Sequence, residues 1–188
     1  MKSYSGTTMN RIRTSIYTPL AFFLLALLLA GCASTPSNDT LIRESRTALN
    51  SFLDRDPALQ RWIDHAQGYA IFPDIGKAGL WVGGGFGRGV VFEQGRAVGR
   101  TSVSQATIGA QIGAQAYSQI VFFEDSAALT TFKRENFEFS AQATAVAATA
   151  GAAATTSYER GVAVFILVRG GLMAEATVGG QQFKYEPL

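Results

Sequence analysis

The sequence predicts an α+β fold: a mostly antiparallel β-sheet, or a partly closed barrel, with two N-terminal helices packed on it. Three observations lead there. Two stretches with helical apolar spacing lie between residues 41 and 66. From Tyr69 onward the texture changes to short apolar or alternating runs. Those runs are punctuated by many of the chain's 20 glycines, which follow no three-residue period. Frequent glycine between short apolar runs suits a hairpin-rich sheet and excludes collagen. At 47% hydrophobic and 16% charged residues the chain is not of a disordered type. Its 188 residues suit one domain once a leader is removed.

Residues 1–31 read as that leader. Lys2, Arg11 and Arg13 form a positive n-region without an acid, and initiation at Met9 would tighten it. Leu20 to Ala30 is an unbroken apolar run of eleven residues. A spanning helix needs about 20 such residues, so the run has the length of a signal-peptide core. Pro19 limits its extension backwards. Leu29-Ala30-Gly31-Cys32 then has the form of a bacterial lipobox, with small residues before a cysteine whose thiol can accept a diacylglyceryl group. Cys32 is the only cysteine in the sequence, so it has no disulfide partner in the chain. Two or three acyl chains make a durable anchor where one does not. The expectation is a lipid-anchored cell-envelope protein, and Ala33 after the cysteine points to the outer membrane facing the periplasm. Removal of the leader leaves thirteen basic against fourteen acidic residues, a net charge near −1. Nucleic acid is therefore not an expected partner, since it calls for a net basic face.

Residues 32–40 are small and polar, a tether. Leu41, Ile42, Ala48, Leu49, Phe52 and Leu53 recur on one face of a first helix, with Asp39 or Thr40 as its cap. Asp56-Pro57 opens a second helix, with Leu59, Trp62, Ile63 and Ala66 as its stripe and Gly68 closing it. Strands are expected over Tyr69–Phe72, stopped by Pro73-Asp74, and over Gly79–Gly85 and Gly89–Phe92 on either side of a turn at Phe86-Gly87-Arg88. A further turn is expected at 93–96, an alternating strand over Ser102–Gln115 and an apolar one over Tyr117–Phe123. Asp125-Ser126 opens a short helix to about Lys133, and Val162–Val168 is a strand. Gly170-Gly171 and Gly179-Gly180 mark hairpin turns. Ala141–Thr156 is open between helix, favoured by its alanines, and strand, favoured by its threonines.

The sequence carries little that points to catalysis. The cluster Gly83 to Gly89 does not fit G-x-G-x-x-G, and no Walker lysine follows it. One histidine, His65, cannot build a usual zinc site, and its neighbour Asp64 does not face the same partner on a helix. No G-x-S-x-G elbow is present, and the carboxylates are scattered. No catalytic residue, metal site or cofactor is expected. What remains is a set of aromatics, Tyr69, Phe72, Trp81, Phe86 and Phe92, near Lys77, Arg88 and Arg96. Rings beside a cation suit an acyl chain and its phosphate; a plain core is the other use of such aromatics.

Several blocks, in order, resemble the SYLF-domain family. They are Ala66-Gln67-Gly68-Tyr69-Ala70-Ile71-Phe72-Pro73, Lys77-Ala78-Gly79, the Gly83–Gly89 cluster with Val90-Val91, and Thr107-Ile108-Gly109-Ala110-Gln111-Ile112-Gly113-Ala114-Gln115. The last is similar to that family's G-x-Q-x-G-x-Q strand. The likeness runs from about Thr40 to Gly180 and makes residues 41–188 a SYLF-like domain of the bacterial lipoprotein branch. It implies a non-catalytic lipid-binding module, since eukaryotic members bind phosphoinositide membranes and actin and bacterial members are often envelope lipoproteins. The basic N-terminal helix of the eukaryotic members is matched here only by Arg43 and Arg46 beside Glu44. Actin is not an expected partner in a bacterial envelope. The expected function is binding of phospholipid or another amphipathic ligand, with Lys77, Arg88, Arg96, Trp81 and Phe86 as contacts. The alternative is a structural or partner-binding envelope lipoprotein with no lipid beyond its anchor.

Overall fold

The computed structural model describes residues 36–134, 137–139, 145–147 and 149–188; the expected leader, Cys32 and residues 33–35 of the tether lie outside them. Helix α1 spans Asn38–Arg55, so the domain begins inside the expected tether. Its cap is Ser37, whose hydroxyl accepts the Thr40 N–H, and not Asp39 or Thr40. Leu41, Ser45, Ala48 and Phe52 form its buried stripe. Asp56 and Pro57 start the second helical segment as expected, a 3-10 turn over Pro57–Leu59 that runs into α2, Gln60–His65. Gly68 does not close that segment. The helix is capped at Ala66, and Gly68 is the first residue of β1.

Three long antiparallel strands dominate the rest: β1, Gly68–Glu93; β2, Arg96–Phe123; and, after β3 and β4, β5, Val162–Pro187. They are ordered β1-β2-β5. Between β2 and β5 lie helix α3, Ser126–Lys133, capped by the Asp125 carboxylate, and the short strands β3, Phe137–Phe139, and β4, Ala145–Ala147. Helix α4, Ala152–Thr155, completes the set. The outer edge of β5 takes β4 in parallel at Val164–Ile166 and β3 antiparallel at Gln181–Phe183. The segment 141–156 therefore holds both a strand and a helix among its described residues. The sheet is α+β and mostly antiparallel, and it does not close into a barrel.

Several glycine signals have a different meaning from the turns they suggest. Phe86-Gly87-Arg88 is not a turn but the middle of β1, paired with Ser104, Val103 and Ser102. Gly170, Gly171, Gly179 and Gly180 lie inside β5, paired along β2. Pro73-Asp74 does not end β1 but makes a bulge between Phe72 and Ile75. The turn joining β1 to β2 is Gln94-Gly95, with φ of 48° and 75°, the pair of positive values that matches the twist of a two-residue hairpin.

The glycines serve close packing instead. β1 doubles back at Leu80–Val82, so its second half lies against its first. A Cβ on Gly79 would stand 2.6 Å from the Gly83 Cα, and one on Gly89 would stand 2.3 Å from the Ile71 carbonyl oxygen. Gly85 and Gly87 face Gly76 and Asp74 in the same way. The glycine cluster is thus a period-two stripe along the inner face of a folded strand.

Two apolar clusters sit on the two faces of the same strands. Leu41, Phe52, Leu59 and Trp62 from the helices pack on Tyr69, Ile71, Phe92, Phe122 and Phe165. On the other face, between the folded halves, lie Phe72, Ile75, Val103, Val121, Phe123 and Phe183, joined by Leu129 and Phe132 of α3. The helical layer thus covers the strand ends around residues 68–72 and 119–123. Outward-facing positions toward the bend, such as Gly76, Ala78 and Leu80, are exposed.

Candidate functional site: an apolar crest at the bend

The bend is built by a mismatch between neighbouring strands. Leu80 pairs with Ile112 and Val82 with Ile108. One residue of β1, Trp81, therefore spans the bend where β2 uses three, Gly109 to Gln111, and β2 takes the longer outer path. Gly109 and Gly113 have φ of 143° and 126°, values that side chains disfavour, so glycine is required on both sides of the turn. Between them Gln111 turns inward and is buried. Its amide oxygen accepts the Thr107 hydroxyl proton at 2.9 Å, and its Nε2 donates to the Thr107 carbonyl at 3.3 Å. A Cβ on Gly83 would lie 2.4 Å from the Gln111 Oε1. The Gly-x-Gln-x-Gly motif is thus the hinge of the fold: two glycines permit the bend, and one buried amide fills the space left by Gly79 and Gly83.

Polar side chains line the inner side of the bend. Lys77, Thr107 and Gln111 are buried, Tyr117 donates to the Gln105 side chain at 2.8 Å, and Gln119 and Gln181 exchange amide hydrogen bonds at 3.1 Å. The outer side is apolar. Leu80, Trp81, Val82, Ile108 and Ile112 are 63–70% exposed, and they are cross-strand neighbours on one convex crest. Trp81 itself has φ of 64°, a left-handed backbone that costs a bulky residue about 1–3 kcal/mol. Next to the crest, Gly76, Ala78, Gly84, Phe86 and Ala114 line a shallow, mainly apolar groove of about 700 Å³.

No charged residue occurs between Lys77 and Arg88, nor between Arg100 and Glu124. The crest on β1 and β2 is therefore uncharged, and Glu175 of β5 pairs in register with buried Gln111. This charge gap was legible in the sequence and is the signal that a search for catalytic motifs passes over.

The expected contact residues separate into three places. Lys77 and Phe86 line the groove, with Lys77 only 6% exposed. Arg88 stacks on Phe86, its guanidinium carbon 5.4 Å from the ring centre. Trp81 stands on the crest. Arg96 lies beside the Gln94-Gly95 turn, at the end of the β1–β2 hairpin away from the bend, and is not brought to the others. Of the five aromatics, Tyr69, Phe72 and Phe92 are core, while Trp81 and Phe86 face solvent. His65 is exposed, with Nδ1 2.6 Å from the Arg61 carbonyl.

What the fold presents is a surface rather than a constellation of reactive groups. Among the described residues no group of His, Cys, Asp and Glu is placed to hold a metal, and no helix is long and apolar enough to cross a membrane. The class it defines is a small α+β domain with a folded-over sheet and one exposed apolar bend. Residues 104–186 match the family model Ysc84, described as Las17-binding protein actin regulator, so that part of the chain is similar to the family. Beta cell expansion factor A of Aeromonas veronii is 28% identical over 157 residues, covering 78% of this chain and 59% of that protein. The chain thus spans under two thirds of the length of that curated relative. The matched family region begins at Ser104 and takes in the Gly109–Gln111–Gly113 hinge and all of β5 up to Glu186.

Proposed function

We propose that this protein is a non-catalytic lipid-binding module of the cell envelope, held to a membrane through an acylated Cys32. The observation that carries the reading is the uncharged apolar surface formed by the crest and its groove. An exposed contiguous apolar patch on a soluble domain marks an interaction site, and Leu80, Trp81, Val82, Ile108 and Ile112 are far more exposed than folding requires. The SYLF family is associated with lipid and actin binding and is not known for enzymes, which supports the same reading. Phospholipid, or another amphipath with an acyl chain, is the ligand class such a surface takes. Arg88 on Phe86 supplies a cation at the rim of the groove, where a guanidinium suits a phosphate.

Native mass spectrometry of residues 36–188, with lipid extraction and flotation on vesicles, tests this. Co-purifying phospholipid or vesicle binding is the expected result. A folded domain that carries no lipid and ignores vesicles moves the function to the second reading, a partner-binding envelope protein. The surface for that reading is the groove of about 850 Å³ between α1 and the sheet, lined by Arg43, Glu44, Asp54, Arg55, Asp74 and Arg169. Its mixed charges suit a polar protein or glycan partner.

A further inference from the structure

Resting on the lipid reading above, we infer that the domain meets a bilayer edge-on, with the crest entering the acyl layer and Trp81 deepest, and that binding depends on acyl packing rather than on headgroup charge. Four observations point to this mode. The crest is convex, because the strands fold around it. A protein partner of ordinary size needs about 800 Å² per side of surface shaped to match. A bilayer closes around a convex wedge without any such match.

The chemistry of the crest also fits a bilayer. A side chain that enters the acyl layer should carry no charge, and insertion costs less the more of the backbone polar groups around it are paired. The crest residues of β1 and β2 lie in charge-free stretches, and apart from Trp81 and residues 109–111 they pair with each other across the β1–β2 ladder, while the outer edge of β1 has no neighbouring strand among the described residues. Residues 106–116 of β2 pair continuously with β5 on the other side. Trp81 adds an indole, a ring that prefers the membrane interface.

The backbone at Trp81 is the third point. A left-handed φ at a bulky, solvent-exposed residue is strain held in place by its surroundings, and such strain is concentrated at functional positions. The Gly79–Gly83 contact and buried Gln111 are what hold it. Finally, only the five residues 33–37 separate Cys32 from the first residue of α1. Fully extended they reach about 20 Å, so an acylated Cys32 keeps the domain within that distance of a bilayer surface. A weak apolar wedge then suffices, because the local concentration of membrane is already high.

The two tryptophans make the test direct. Trp62 is buried and donates its indole N–H to the Ala153 carbonyl, while Trp81 is 66% exposed. Residues 36–188, one compact unit with both apolar clusters, are titrated with phosphatidylcholine vesicles and with mixed phosphatidylcholine–phosphatidylglycerol vesicles, at low and high salt. The expected result is a blue shift of tryptophan emission with both vesicle types, quenching by brominated acyl chains, and little salt dependence. Trp81→Phe removes the lipid-sensitive emission and leaves that of Trp62. Leu80→Ser with Ile112→Ser, both surface changes, weakens partitioning at least tenfold with an unchanged circular dichroism spectrum. Binding confined to anionic vesicles, lost at high salt and with Trp81 unquenched, overturns edge insertion and leaves a headgroup-directed lipid module. Absence of vesicle binding by the folded protein overturns the lipid reading and insertion together. Trp81 burial by self-association without lipid assigns the crest to a second copy of the chain and overturns insertion. The full-length acylated protein in brominated vesicles repeats the quenching measurement should the shortened chain fail to fold.

Discussion

Gly79 shows how much of this fold hangs on single atoms. A methyl group there would stand 2.6 Å from the Gly83 Cα and 2.9 Å from the Gln111 amide, and a backbone atom cannot swing aside as a side chain can. Gly79→Ala is expected to destabilise the domain by about 1–3 kcal/mol through overpacking. Gly84→Ala faces outward, with 3.7 Å to its nearest neighbour, and is expected to stay within about 0.5 kcal/mol of the parent. Urea denaturation of the two variants checks the contrast. Asp56 is the second residue of this kind. It is 2% exposed, and its carboxylate accepts the Ala153 N–H at 2.8 Å and the Ala58 N–H at 3.2 Å. Burial by itself raises its pKa, but backbone hydrogen bonds from Ala153, Gly151 and Ala58, with the Arg61 charge, outweigh burial and hold it below the usual 3.8. A carboxylate depressed in the folded state contributes stability that is fully present above its unfolded value and lost as pH falls through the folded value. Asp56→Asn puts a donor against a donor, and thermal melts should show a loss of about 1–3 kcal/mol at neutral pH. The gap between the two proteins should narrow as pH drops below 3.8.

At the scale of elements, each helix covers a specific part of the sheet. Helix α3 is eight residues long, too short to be stable alone, and is held by what it buries. Phe132 is fully buried with its ring centre 4.7 Å from that of Phe123 and 5.3 Å from that of Phe183. It therefore ties α3 to both β2 and the second half of β5. Phe132→Ala should cost about 3–5 kcal/mol and should expose the amides of 126–133 to hydrogen exchange before those of β1 and β2. Equal loss of protection across all three elements would show that α3 is not a separate opening unit. On the opposite face, Asp56, Arg61 and Trp62 all bond to the backbone of Ala153. That knot fixes α4 against α2 through polar contacts where the apolar area is small.

At the scale of the whole molecule, the two ends of the domain have different tasks. The end near 68–72 and 119–123 is buried on both faces and carries the cores, while the bend is left bare. The N-terminus bears on where that bare edge is used. With Cys32→Ser no other thiol exists to accept an acyl group, so the variant should leave the membrane fraction of cells or persist as an uncleaved precursor. A variant that still fractionates as a mature-size acylated membrane protein would rule out the lipobox reading. Lipidation and crest contact are separable in the same experiment, since the Cys32 variant keeps its crest.

Much of this was open to reading in the sequence because it rests on local chemistry. Helical spacing over 41–66, the Asp56-Pro57 start, the Asp125 cap and the alternation over 102–115 depend on neighbours within a few residues, and the elements stand where those signals put them. Of the blocks that resemble the SYLF family, Thr107–Gln115 lies within the family match over 104–186, and the three earlier blocks lie before it. The glycines could not be read this way. A glycine that permits a turn and a glycine that lets one strand pack on itself look identical in sequence, because the difference is the presence of Ile71 or Gln111 a full layer away. For the same reason alternation at 102–115 gives two faces but not which one meets water. Only the doubling of β1 and β2 turns Thr107 and Gln111 inward, sends Ile108 and Ile112 outward, buries Lys77 and leaves Trp81 on a bare edge. Local propensity acts through the chain's own neighbours, whereas burial is a property of the layer that folds over it.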